Sequence, residues 1–165
     1  MSNVTHLECS LTNEVYEANE VHNLSRAGKP LLVRYDLETA KATMTRESLA
    51  KRSPGMWKWS ELLPHDIEPV SLGEPETPLI DLKNIARCEG ASNLVVKDEG
   101  RLPTGSFKAR GLAMAVTMAK QFGIEKIAMP TNGNAGAALA AYGARAGIET
   151  VVICPAETPR IATWL

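Results

Sequence analysis

From residue 93 onward, short apolar runs alternate with longer stretches of helical spacing. Asn93-Leu94-Val95-Val96-Lys97 predicts a strand, and Phe107 to Phe122 a helix. Lys126-Ile127-Ala128-Met129-Pro130 predicts the next strand, Asn134 to Ala146 a helix, and Thr150-Val151-Val152-Ile153-Cys154 a further strand. A last helix is predicted to open at Thr158-Pro159, with the threonine as its cap and the proline in its first turn. This β-α-β-α-β order implies right-handed crossovers and a parallel sheet covered on both faces, an α/β three-layer architecture.

The N-terminal half has a different texture. A polar, acidic opening to about Asn23 gives way to Leu31-Leu32-Val33-Arg34-Tyr35, whose β-branched and aromatic content predicts a short strand in a small layer. Glu38 to Arg52 predicts a helix stopped by Pro54-Gly55, and Trp57 to Leu63 a second short one. Pro64, Pro69, Pro75 and Pro78 then mark a connector with extended pieces, because proline fixes φ and lacks an amide donor. We divide the chain near Ser71, into an N-terminal segment, 1–70, and the α/β part, 71–165. The last residues, Trp164-Leu165, fall just after a predicted helix start, so the expectation is of a truncated domain, the N-terminal part of a longer design.

Composition narrows the function classes. With 18 basic against 19 acidic side chains and a formal net charge of −1, the 165 residues carry no basic stripe of the kind that nucleic acid or an anionic membrane requires. No apolar run approaches the roughly 20 residues that span a bilayer, and Met1 to His6 lacks the features of a signal peptide, so a cytoplasmic protein is expected. Cys9, Cys88 and Cys154 are few, odd in number and far apart, which suits reduced thiols. Cys9, His6 and His22 have no recognised zinc spacing, and no metal is expected.

Two segments could carry chemistry. In Lys97-Asp98-Glu99-Gly100-Arg101-Leu102-Pro103-Thr104-Gly105-Ser106-Phe107-Lys108, the last lysine enters the first turn of a helix. Unsatisfied amides and the positive end of the macrodipole disfavour its charge there, and the free amine is what forms a Schiff base with an aldehyde. A lysine taken at random is simply a solvated surface residue, and only context overturns that. The second segment, Pro130-Thr131-Asn132-Gly133-Asn134-Ala135-Gly136, lies where a strand ends and a helix begins, the usual ligand position in open α/β sheets. Asn134 can donate its amide to a ring hydroxyl or phenolate, or it can cap the helix, the simpler reading when it is taken alone.

Together the two segments resemble the fold type II family of pyridoxal-phosphate enzymes, whose architecture is that of the tryptophan synthase β chain. In that family Pro-Thr-Gly-Ser-Phe-Lys carries the Schiff-base lysine and a Thr-x-Gly-Asn-x-Gly turn carries the asparagine that faces the cofactor. Gly55-Met56-Trp57-Lys58-Trp59-Ser60-Glu61-Leu62-Leu63-Pro64, Ser71 to Leu79 and Leu31 to Leu37 look like the N-terminal part of its threonine synthase branch. The resemblance implies pyridoxal 5′-phosphate as cofactor, Lys108 as its covalent anchor and proton shuttle, Asn134 bonded to its 3-hydroxyl group and Phe107 beside its ring. It implies that Thr131 and the amides of Asn132, Gly133 and Ala135 receive the substrate carboxylate. The implied reaction converts O-phosphohomoserine and water to threonine and phosphate, in a homodimer. Dehydratases, ammonia-lyases and cysteate synthases share the two motifs and stay open as alternatives, as does a non-catalytic remnant.

Other residues receive plainer readings. Leu112, Met114, Val116 and Met118 are expected in the core, Trp57 and Trp59 between the N-terminal layer and the main domain, and Cys88 and Cys154 as small apolar fillers. His65 is expected in a loop. Lys97 and Arg110 are positioned to reach a substrate phosphate, although charged residues at such places are usually solvated.

Overall fold

A computed structural model describes residues 2–158. The helix expected from Thr158-Pro159 therefore lies outside the described residues. The chain opens with an antiparallel sheet ordered β2-β1-β3, built from Val4–Cys9 (β1), Val15–Tyr16 (β2) and Leu31–Tyr35 (β3). The predicted strand is β3, and its partner β1 comes from the stretch read as a polar opening. Leu7 stands opposite Val33 and Cys9 opposite Leu31. Cys9 is fully buried, with its sulfur 3.1 Å from Ser25 Oγ.

The single helix expected over 38–52 is two helices, Leu37–Thr43 (α1) and Arg46–Ala50 (α2). Thr45 breaks it, adopting extended backbone and forming a reciprocal capping box with Ser48 that satisfies the amides of a new helix start. Met56–Leu62 forms the second short helix in 3₁₀ geometry. Its Glu61 is buried and receives a two-pronged ion pair from Arg52, which also donates to the Lys58 carbonyl.

Leu79–Asp81 (β4) precedes a short helix, Lys83–Cys88 (α3), and Val95–Lys97 (β5). Here the structure departs from the predicted strand order. β5 pairs antiparallel with β4, Ile80 opposite Val96, and does not join the parallel sheet. The composition of a strand reports that it pairs but not with what, and its partner was hidden among connector prolines. Cys88 and Cys154 are exposed and fill nothing. His65 is buried, its Nδ1 2.9 Å from the Ile67 carbonyl and its ring edge-on to Trp57.

The parallel pair is Lys126–Pro130 (β6) and Glu149–Ile153 (β7), in register from Lys126 opposite Glu149 to Pro130 opposite Ile153. Asn134–Ala146 (α5) crosses between them, and Lys108–Gln121 (α4) packs beside α5. Ala109, Ala113, Val116, Ala138, Leu139 and Tyr142 form the buried seam, with Val70, Leu102 and Ile148. Gly136 and Gly143 let α5 lie directly on β7. A Cβ at Gly143 would stand 2.2 Å from Thr150 Cγ2, and one at Gly136 2.8 Å from Val152 Cγ1. Among the described residues α5 covers one face of this pair, and α4 packs on α5. On the other face Ala128, Val151 and Ile153 are exposed.

Candidate active site

The lysine segment leaves β5 through a 3₁₀ turn, Glu99–Arg101, where Asp98 accepts from the Gly100 amide at 3.2 Å. A second turn, Pro103–Gly105, puts Thr104 at φ 66° and Gly105 at φ 68°. The left-handed region suits Gly105 and is an outlier for a β-branched threonine. Thr104 Oγ1 is also buried, with no hydrogen-bond partner among the described residues. Buried Ser106 then accepts from the Lys108 amide at 3.2 Å, and α4 begins at Lys108. Ala109, Ala113, Val116 and Thr117 bury one stripe of this helix, which leaves Lys108 half-buried beside it.

Among the described residues Lys108 Nζ makes no ion pair; it lies 4.2 Å from the centre of the Phe107 ring, which is 59% exposed. The neighbouring cations are otherwise engaged. Arg110 grips Glu99 with two parallel bonds, 2.6 and 2.9 Å, and Lys97 Nζ lies 3.6 Å from the same carboxylate. Thr77 donates its hydroxyl to it as well. The Arg110 bonds hold the Glu99 carboxyl down at about 2, against the opposing effect of partial burial. Lys97 and Arg110, read as candidates for a substrate phosphate, are thus committed to Glu99.

The second segment leaves the carboxyl edge of β6. Thr131 donates its amide to the Ile153 carbonyl at 2.8 Å, adding one rung to the parallel ladder before the chain turns. Gly133 occupies the cap position of α5 and Asn134 is the first helical residue, so the capping reading of Asn134 does not hold. Its side chain makes no capping bond and is left to other work. Thr131 Oγ1 accepts from the Gly133 amide at 3.3 Å, which directs the hydroxyl's own hydrogen away from the turn. Among the described residues the amides of Asn132, Asn134 and Ala135 have no acceptor, as expected of a helix start.

Topology brings the two segments to one edge. Residues 122–125 alone join α4 to β6, so α4 ends at the amino edge of the strand and runs back beside α5 toward the carboxyl edge. The Pro103–Gly105 turn packs against α5 accordingly. The sequence reading missed what steadies this arrangement. Glu74, 3% exposed, accepts from Trp57 Nε1 at 2.7 Å, Ser71 Oγ at 2.6 Å, the Leu72 amide at 2.9 Å and the hydroxyl of fully buried Tyr142 on α5. Burial alone would raise the Glu74 carboxyl, and these donors lower it below the ordinary range. The Tyr142 phenol is pushed up, first by burial and then by the facing carboxylate. Glu74 lies within the proline-rich connector, and its bonds tie that extended stretch to Trp57 on one side and to α5 on the other.

Comparison with known proteins agrees with this arrangement. The family model described as "Pyridoxal-phosphate dependent enzyme" matches residues 70–164. A threonine synthase of Methanosarcina acetivorans is 42% identical over 152 residues, which is 92% of this chain and 37% of the relative. One from Methanocaldococcus jannaschii is 39% identical over 149 residues, 89% of this chain and 37% of the relative. One from Halalkalibacterium halodurans is 47% identical over 100 residues. The chain thus spans little more than a third of the length of the first two relatives and 28% of the third. A mixed α/β chain carrying both motifs on one sheet edge, matched over more than half its length, belongs to the pyridoxal-phosphate-dependent enzyme family.

Proposed function

We propose that the protein of which these residues are part is a threonine synthase, converting O-phosphohomoserine and water to threonine and phosphate. The observation that carries this reading is the lysine of the Pro-Thr-Gly-Ser-Phe-Lys turn, without a carboxylate partner among the described residues, on the sheet edge where the Asn134 turn begins. The 42% identity to a threonine synthase over nearly the whole chain supports the choice of reaction within the family. The same reading expects a phosphorylated amino acid as substrate, a cytoplasmic protein, and a homodimer in the intact enzyme. No helix among the described residues is long and apolar enough to cross a membrane.

The residues fit pyridoxal 5′-phosphate in three respects. Among the described residues Lys108 has an amine in no ion pair, the Asn134 side chain makes no capping bond, and the first amides of α5 have no acceptor. When bound, the cofactor supplies the electron sink for charge developing on the substrate carbons. Lys108 Nζ would hold its aldehyde carbon, and as a free amine it would serve as the base that takes the proton from Cα and moves the proton at Cβ. Asn134 would donate to the 3-hydroxyl oxygen, and exposed Phe107 would cover the ring edge. The Thr131 hydroxyl and the amides of Asn132 and Ala135 would hold the substrate carboxylate, with the Gly133 amide orienting that hydroxyl from behind.

Assay of the intact protein with O-phosphohomoserine tests the reaction: threonine and phosphate are expected in equal amounts. Phosphate without threonine, or turnover of serine or threonine only, would assign another member of the family. Borohydride reduction of the cofactor-loaded protein, followed by peptide mapping, should leave a pyridoxyl group on Lys108. A label on another lysine would overturn its role.

A further inference from the structure

The segment from Glu99 to Arg110 is a loop closed on itself. Glu99 stands before the Pro103–Gly105 turn, Arg110 follows Lys108 in the first turn of α4, and the two-pronged pair joins them across eleven positions. Within that closure the backbone is not relaxed, because Thr104 adopts a left-handed φ of 66° and its buried hydroxyl has no partner among the described residues. Such a conformation persists only where the surroundings over-determine it. Burial of Leu102, Ser106 and Ala109 fixes where the loop lies. The fork adds an orientation to that placement, since two parallel N–H···O bonds define a plane as well as a distance, and Thr77 holds the carboxylate from the β4 side.

We propose that the Glu99–Arg110 fork is a positioning device for Lys108: by closing the ends of the loop it keeps Thr104 in its strained conformation and fixes where the Lys108 amine emerges. Glu99 and Arg110 are positioning residues in this scheme and touch neither cofactor nor substrate. The assignment rests on Lys108 being the cofactor lysine, whereas the closure of the loop does not.

The test uses the intact protein and two readouts, hydrogen exchange without cofactor and borohydride trapping of pyridoxal phosphate on Lys108. Glu99→Gln and Arg110→Lys should each speed exchange at the Gly105 and Lys108 amides by about tenfold or more while the α5 amides keep their protection. Pyridoxyl label at Lys108 should fall in both variants. Arg110→Lys retains the charge and loses the second prong, so it should not rescue. Adding Thr104→Gly, which removes the left-handed strain, should restore part of the protection lost in Arg110→Lys. Exchange within about twofold of the parent in both variants, acceleration spread evenly over α4 and α5, or parental behaviour of Arg110→Lys would overturn the proposal. If the unsubstituted protein itself takes no label at Lys108, the cofactor reading fails, and the exchange results still decide whether the fork sets the loop.

Discussion

Tyr142→Phe isolates one contact in the buried polar cluster around Glu74. The tyrosine is fully buried in α5 and its hydroxyl donates to Glu74, itself 3% exposed. Phenylalanine fills the same space, so the substitution removes a hydrogen bond to a charged acceptor and little packing. Bonds of that kind are worth about 1.5–3 kcal/mol. The Leu72 amide, 2.9 Å away, still serves the same carboxylate oxygen, which argues for the middle of that range, about 2 kcal/mol. Native-state hydrogen exchange in the intact protein should therefore show the central α5 amides opening about thirtyfold more often. Glu74→Gln should do more harm, because one face of the amide turns a donor toward donors already in place. The sign with pH follows from the direction of the shift. The Glu74 carboxyl is lowered in the folded state, so its contribution is present above the ordinary carboxylate range and lost as pH falls through the folded value. Parental exchange in Tyr142→Phe, within about threefold, would refute the view that Glu74 ties the connector to α5.

Three further outcomes are expected. Glu61 and Glu99 are each held at about 2 by an arginine against an ordinary value of 4.5, so they stabilise the fold above 4.5 and lose that effect as pH falls toward 2. The urea midpoint should decline across that window, and Glu61→Gln should flatten part of the decline; an unchanged slope would sink the assignment. Gly143→Ala should destabilise by about 1–3 kcal/mol, since its Cβ would stand 2.2 Å from a stiff β-branched methyl, and a urea midpoint equal to the parent's would show that α5 can lift from β7 freely. The 165-residue polypeptide by itself should self-associate in sedimentation velocity through the face bearing Val151 and Ile153, and lysine at both positions should reduce the association.

Much of the α/β half was legible because its elements obey local rules. Lys126–Pro130, Asn134–Ala146 and Glu149–Ile153 fall within a residue or two of the predicted spans, each bounded by glycine or proline. What failed was pairing. Val95–Lys97 has the composition of any buried strand, and nothing in its residues says that its partner is Leu79–Asp81 rather than Lys126–Pro130. The N-terminal sheet was missed for the converse reason. Val4-Thr5-His6-Leu7-Glu8-Cys9 does not alternate cleanly, because the register shifts between Val4 and His6, and its polar residues hide the strand until β3 supplies a partner.

The candidate site divides along the same line. Lys108 and Asn134 could be picked out because each sits in a compact motif whose local geometry, a turn into a helix start, is encoded by adjacent residues. Their support could not. Glu99 lies eleven positions from Arg110, and Glu74 lies 68 from Tyr142, so each pair exists only after the chain has folded back on itself. In the sequence those carboxylates are two acidic residues among 19, with no periodicity to distinguish them. The asymmetry has a physical origin: a turn into a helix start needs a special backbone conformation, which leaves a trace in glycine, proline and serine. Charge pairs between distant residues need only to arrive at the right distance, and distance through space leaves no mark along the chain.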